Sequence, residues 1–381
     1  MIKRLYIDNF RTLVNFEITF DSLNLLLGDN GSGKSAVFEV LRKLRDFIVI
    51  PGQTAKDMFP AADKTRWQGT PTQRFELDLE SDLGVFYYRL AMEHLEDHRK
   101  TVINSESLYL ADTPLFQSAN GEAQLFDDNG QPGPKLNFGK FQSGVGLIEE
   151  RHDNRKLTAF KKHMENIVIV NPNPSLMSSE SQEEIMKLSW HMENFAAWYR
   201  FLSQENMEAV HEIREELPNP LPGFSALNSI KSGERTKVLK VVFQAGDEKS
   251  KREYSFAELS DGQKMLIAIF SLVIGHKGQR ACLFIDEPDN YISIAEIQPW
   301  LRLIVDDCGP GESLEQVVMI SQHPETIDYS ALGMPILFKR ESESHTRITP
   351  LSEEFRGLKT EGLTYSELLA RKIGRESRNG R

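Results

Sequence analysis

The sequence predicts an α/β chain: a mixed central sheet flanked by helices, with an antiparallel β-rich subdomain and a helical lobe. Three observations carry that expectation. A short apolar run at residues 23–27, interrupted only by Asn24, stops at Gly28-Asp29-Asn30-Gly31-Ser32-Gly33-Lys34-Ser35 and gives way to helical spacing through Val37, Val40, Leu41, Leu44 and Phe47. A second apolar run, at residues 281–285, ends in Asp286-Glu287-Pro288, and a third, at residues 317–320, leads to His323. Continuous apolar runs of this length are typical of buried parallel strands.

Taken in order, residues 2–7 read as a strand and residues 15–20 alternate as a second. Strand 23–27, the glycine loop and helix 35–47 follow. A β-rich stretch comes next, at residues 75–80, 85–92, 107–110 and 124–126, separated by Asp, Gly, Asn and Pro turns. Residues 130–139 read as a loop, 156–164 as a helix, and 167–170 as an apolar strand ended by Asn171-Pro172-Asn173-Pro174. Residues 179–216 hold helix formers without Pro or Gly, with Ser179 or Ser181 as N-cap, and Phe195, Trp198, Tyr199 and Leu202 on one face. That stripe suits a helix core first and a docking face second. Residues 238–244 and 252–256 read as a hairpin around Ala245-Gly246-Asp247. No internal repeat and no sustained heptad pattern occurs. The organisation expected is a lobe with the glycine loop and β-rich insertion at 1–174, a helical lobe at 175–275, the remaining α/β part at 276–350, and a C-terminal extension with a basic tail at 351–381.

Composition bounds the function. The chain has 381 residues, 40% of them hydrophobic, enough for a sizeable core. No run approaches the roughly 18–20 apolar residues of a membrane span, and Met1-Ile2-Lys3-Arg4-Leu5 opens no signal-peptide block. The two cysteines imply no disulfide framework. A cytoplasmic protein is expected. A net charge of −11 argues against a surface coated with positive potential, while leaving room for a local nucleic-acid groove. Basic residues gather at 151–162 and after Ala370, where a solvated face or a frayed end is the plain alternative to a contact surface.

The glycine loop carries the first chemistry. Glycines at 28, 31 and 33 let the N–H groups of the loop through Asn30, Ser32 and Ala36 turn onto phosphate oxygens at a helix start. Lys34 is placed to neutralise the β- and γ-phosphates and Ser35 to ligate Mg²⁺. Asp286, at a strand end, would hold the same Mg²⁺, and Glu287 would polarise the attacking water. His323, one strand-helix-strand unit later, suits a γ-phosphate sensor. The remaining histidines form no ligand-spaced cluster.

The motifs and their order, Gly28–Ser35, then Leu259-Ser260-Asp261-Gly262-Gln263, then Leu283-Phe284-Ile285-Asp286-Glu287, then His323, resemble those of ABC-type ATPases. Ile7-Asp8-Asn9-Phe10-Arg11 and the glycine loop resemble the RecF/SMC branch. Glu258–Gln263 and Asp286-Glu287-Pro288-Asp289-Asn290 are similar to stand-alone bacterial ATPases related to the OLD family, many of them anti-phage or toxin-like system components. The resemblance implies an ABC-ATPase head with ATP and Mg²⁺ as cofactors. It implies a homodimer in which Leu259, Ser260, Asp261, Gly262 and Gln263 of one copy meet the γ-phosphate held by Lys34 of the other. Arg11 would approach the phosphates, and Asp289 and Asn290 would form a loop touching the opposite copy.

Two departures stand out. Asn290-Tyr291-Ile292-Ser293 lacks the Leu-His-Pro of OLD-like relatives, and no Q-loop glutamine is evident. Asn171 stands in its place, either as a Mg²⁺ ligand or as the start of a turn. The short segment after His323 carries no Asp-x-Asp pair, so no nuclease of the chain's own is expected, and the absent heptads argue against long arms. The leading expectation is a sensor or switch subunit that controls a separate effector, a nuclease or toxin, in a bacterial defence-like system. Its rivals are a RecF-like DNA-binding clamp for repair and an inhibitory partner in which ATP binding matters more than turnover.

Overall fold

The computed structural model describes residues 1–95, 100–137, 139–244, 251–330, 334–341, 344–354 and 364–370. In chain order the first elements are β1 (Ile2–Asp8), β2 (Phe16–Thr19), β3 (Leu23–Gly28), α1 (Lys34–Val49), α2 (Ala55–Met58), β4 (Thr72–Ser81), β5 (Gly84–Leu95) and β6 (Lys100–Leu110). Then come β7 (Thr113–Ala119), β8 (Glu122–Phe126), β9 (Pro132–Asn137), α3 (Gly144–Leu147), α4 (Arg155–Glu165) and β10 (Ile167–Val170). The next group is β11 (Glu180–Ser181), α5 (Phe195–Glu205), α6 (Met207–Glu216), β12 (Phe224–Lys231), β13 (Lys237–Gln244) and β14 (Lys251–Ser255). The last is α7 (Asp261–Gly275), β15 (Cys282–Asp286), α8 (Ile294–Asp307), β16 (Gln316–Ile320), α9 (Pro324–Ser330), β17 (Met334–Lys339), β18 (Arg347–Pro350) and α10 (Leu351–Glu354). The predicted α/β class is found.

The chain divides into two compact units. The first holds residues 1–22, 27–167 and 336–350, the second residues 23–26, 168–335 and 351–381.

In the first unit an antiparallel sheet runs in the order β2-β1-β4-β5-β6-β7-β8-β9. Leu5 faces Leu77 across β1 and β4, and Leu77 faces Tyr88 across β4 and β5. Period-2 alternation puts Leu5, Ile7, Phe75, Leu77, Phe86 and Tyr88 into the core. Ring pairs tie the layers together: Phe59 lies 4.9 Å from Phe75, and Phe160 of α4 5.6 Å from Phe86. α1 packs on α3 and α4, and Val37, Leu41, Leu44 and Phe47, residues that gave it helical spacing, are buried. Glu106 is wholly buried in β6. It accepts from the Tyr88 hydroxyl at 2.8 Å, the Ser143 hydroxyl at 2.5 Å and the Gly144 N–H at 2.6 Å. Burial pushes its carboxyl above the ordinary value despite those three donors.

In the second unit β10, β15, β16 and the Leu23–Leu26 part of β3 lie side by side in that order. β15 and β16 are parallel, with Asp286 opposite Ile320, and β16 runs parallel to β3, with Ile320 opposite Leu26. β15 and β16 are buried throughout, as their unbroken apolar runs require. A second sheet places β11, β13 and β12 in order, with β14 also on β13. α7 is buried from Met265 to Gly275.

Three expectations about local structure are corrected. Residues 130–139 are not all loop: β9 pairs with β8, Lys135 opposite Gln124, and the Gln124 side-chain amide donates to the Gly133 carbonyl at 2.7 Å. An edge strand tolerates the prolines that suggested a turn. The helical block expected from 179 begins only at Phe195. Ser181 is drawn into β11 opposite Lys237. Beyond it, polar side chains take over the backbone: Asn194 accepts from the Ser189 N–H at 2.9 Å and donates to the Lys187 carbonyl at 2.9 Å. Such local bonds compete with helix. Asn206, not a serine, caps the second helix by accepting from the Ala209 N–H at 3.0 Å. Strand β12 has no counterpart in the sequence-based elements.

The basic stretch at 151–162 is largely engaged. Arg151 pairs with Asp153 at 3.1 Å, Lys162 with Glu150 at 3.5 Å, and Lys161 donates to the Gly146 and Ile148 carbonyls. The tip of the expected hairpin at 245–247 and the basic tail from Arg371 lie outside the described residues.

Candidate active site

In the first unit the glycine loop leaves β3 at Gly28 and enters α1 at Lys34. Gly33 has φ +103°, and a Cβ there would fall 2.7 Å from the Thr346 hydroxyl and 2.9 Å from that of Thr12, so both conformation and space demand glycine. α1 starts without a capping side chain and without an acidic residue in its first turn. Its opening N–H groups and the positive end of its dipole therefore suit an anion. Lys34 is buried, its ammonium donating to the Gly28 carbonyl at 2.5 Å and the Asp29 carbonyl at 3.0 Å. Asn30, Gly31 and Ser35 are exposed, while Ser32 and Ala36 turn inward. Arg11, in a left-handed turn at φ 49°, pairs with Glu39 of α1 at 2.7 Å and lies 3.7 Å from Asp63. Lys43 pairs with the same two carboxylates and lies over the Phe10 ring at 5.6 Å. The guanidinium expected at the phosphates is here tied to a carboxylate pair.

In the second unit Asp286 ends β15, 2% exposed. Glu287 follows with φ 53°, a left-handed conformation that costs a non-glycine residue about 1–2 kcal/mol. Its N–H still reaches the Ile320 carbonyl of β16 at 2.9 Å, so the chain turns sharply while the ladder continues. The Asn290 side chain donates to the Glu287 carboxylate at 2.7 Å. Asp289 points the other way. Buried at 6% exposure, it accepts from the hydroxyls of Ser321 and, at 2.6 Å, Thr326. The Ser321 hydroxyl accepts the N–H of His323 at 3.0 Å. The Glu325 N–H donates to His323 Nδ1 at 3.2 Å, which leaves the proton of a neutral ring on Nε2. One loop thus holds both the glutamate, through Asn290, and the histidine turn, through Asp289.

The segment Leu259–Gln263 joins this group within the same unit. Ser260 caps α7: its hydroxyl accepts the Gln263 N–H at 3.3 Å, and the Gln263 side chain accepts the Ser260 N–H at 3.1 Å. Gly262 sits against the Tyr291 carbonyl, where a Cβ would be 2.7 Å away. Asp261 accepts from the Ser175 hydroxyl at 3.2 Å, and Leu259 is buried beneath. Leu176, next to Ser175, Tyr291 itself and Ile294 at the start of α8 are 50%, 54% and 63% exposed. Asn171 is pinned through its backbone. Its N–H reaches the Trp190 carbonyl at 2.7 Å, and its carbonyl lies 2.9 Å from His191 Nδ1.

Sequence reasoning missed Ser321, Thr326, Thr12 and Thr346. Only Ser321 gave any signal, as the first polar residue after the apolar run that leads to His323; hydroxyls elsewhere on strands and helix starts are too ordinary to single out.

A glycine loop between a buried strand and a helix, and a second buried strand ending in adjacent carboxylates, mark a nucleotide-hydrolysing α/β protein. A family model described as an AAA ATPase domain matches residues 1–195, just over half the chain, and the chain belongs to that family. Its activity is ATP binding and hydrolysis. Among solved structures, the SMC head domain from Thermotoga maritima is similar at 12% identity and a TM-score of 0.48, over 92% of this chain and 98% of that one. No curated protein matches the chain. Among the described residues no helix is long and apolar enough to cross a membrane.

Proposed function

We propose that the chain is an ABC-type, Mg²⁺-dependent ATPase that closes as a homodimer around two ATP molecules and serves in the cytoplasm as the switch subunit for a separate effector of a defence-like system. One observation carries the dimer: the capped, outward start of α7 at Ser260 is packed, through Gly262 and Tyr291, onto the loop that follows Glu287. A signature helix that serves only its own copy has no need of the exposed apolar side chains of Leu176, Tyr291 and Ile294. A partner surface does. The effector rests on the motif resemblance at residues 258–263 and 286–290.

The chemistry follows from the residues. The N–H groups at the start of α1 cradle the β- and γ-phosphates, and the Lys34 ammonium exchanges loop carbonyls for phosphate oxygens. Ser35, exposed, and Asp286, at a strand end, offer the hard oxygen donors that Mg²⁺ takes. When bound, Mg²⁺ supplies charge neutralisation on the phosphates. Glu287 orients a water and takes its proton as the water oxygen bonds to the γ-phosphorus; the bond to the β–γ bridging oxygen breaks, and ADP and inorganic phosphate leave. His323 donates from Nε2 to a γ-phosphate oxygen. Because ATP contacts both copies, it favours the closed dimer, and hydrolysis removes that preference.

The test is phosphate release against protein concentration. Activity per molecule should climb with concentration as dimers form, and Lys34→Ala should reduce it to background. Activity per molecule that stays flat from nanomolar to micromolar protein would contradict a site completed by a second copy.

A further inference from the structure

A phosphate loop can aim its N–H groups inward only if its carbonyls turn outward, and those carbonyls then need partners of their own. In the first unit that supply comes from the β17–β18 hairpin, some three hundred residues along the chain. Thr346, wholly buried, donates its hydroxyl to the Ser32 carbonyl at 2.8 Å and lies 2.9 Å from the Thr12 hydroxyl. The Thr346 N–H reaches the Thr12 carbonyl at 3.0 Å, which fixes the residue that leads into β18. Arg340, just past β17 at the same turn of the hairpin, donates to the Gly31 carbonyl at 3.4 Å. Its guanidinium is steadied by the Ser344 carbonyl at 3.1 Å and by the Trp67 ring, 5.5 Å from its centroid. Two successive carbonyls of the loop are thus held by one hairpin, and the loop backs onto it at Gly28, beside the Phe338 carbonyl.

We propose that Thr346 is a positioning residue for nucleotide phosphate: its hydroxyl holds the Ser32 carbonyl outward and so keeps the loop N–H groups aimed at the β- and γ-phosphates. This rests on residues 28–35 being the phosphate loop. The role concerns binding of the polyphosphate, not of the base, and not the hydrolytic step.

The experiment is calorimetric titration of the full chain with Mg·ATP and, separately, with tripolyphosphate. Thr346→Val should weaken both ligands alike, by about ten-fold, the size of one buried hydrogen bond. Thr346→Ser should restore both, and turnover at saturating ATP should change far less than affinity. A merely structural threonine would lower the melting temperature without moving either affinity at low temperature. Parent-like affinity of folded Thr346→Val overturns the proposal. Should that variant not fold, Arg340→Met, altered at a less buried side chain, decides: weakened binding of both ligands supports the clip and parent-like binding overturns it. If Lys34→Ala binds tripolyphosphate as the parent does, the phosphate-loop assignment fails and takes the proposal with it.

Discussion

His323 owes its proposed role to a backbone group. With Nδ1 occupied by the Glu325 N–H, the imidazole can offer only Nε2–H to a ligand, the form a γ-phosphate oxygen would accept. Removing that donor should act on the transition state more than on ground-state binding. His323→Ala is therefore expected to lower kcat by about 10²–10³-fold with KM within a few-fold of the parent, as steady-state kinetics would show. An equal loss confined to KM would assign the histidine to binding. The places of Lys34, Asp286, Glu287 and His323 at a helix start and at strand ends were legible in the sequence because each is fixed by a local pattern: a glycine loop, or a carboxylate or imidazole at or just past the end of an apolar strand. Asp289 was legible only as part of a loop. Its inward bonds to Ser321 and Thr326 come from residues more than thirty positions away and leave no local trace. Thr346 was invisible for the same reason.

Among the elements, α5 and α7 show how packing sets a titration. His276, just past α7, stacks on Trp198 of α5 with centroids 5.5 Å apart and planes 9° from parallel. Its Nδ1 donates to the Leu272 carbonyl at 2.7 Å. Burial holds the imidazole below its ordinary value of 6.5. A base whose folded value is depressed contributes stability that is present above the unfolded value and is lost as the pH falls through it, because the unfolded chain takes the proton first. The melting temperature of the parent should accordingly drop between about pH 7.5 and about pH 5.5 more than that of His276→Phe, which keeps the stack and cannot titrate. Parallel curves would contradict the assignment. The aromatic stripe of α5 was legible because its i, i+3, i+4, i+7 spacing is enforced by this burial. The failure of helix over residues 182–194 was not legible. There Ser189, Glu193 and Asn194 bond to nearby backbone, and intrinsic propensity loses to those local bonds.

At the scale of the whole molecule the glycine loop lies in the first unit, and Asp286, Glu287, His323 and the start of α7 lie in the second. The α/β class was legible because strands β3, β15 and β16 are predominantly apolar runs. The antiparallel sheet of the first unit was only partly so, since β9 is an exposed edge with prolines and glycine and no apolar pattern to announce it. The central claim is that ATP joins two copies face to face. Replacing Glu287 by Gln removes the group proposed to polarise water while leaving the glycine loop intact, so a closed state should accumulate. The measurement is the solution mass of Glu287→Gln by light scattering, without and with Mg·ATP. The account predicts a doubling on adding ATP that Lys34→Ala, introduced into the same variant, abolishes. A mass that stays the same at saturating ATP would contradict it.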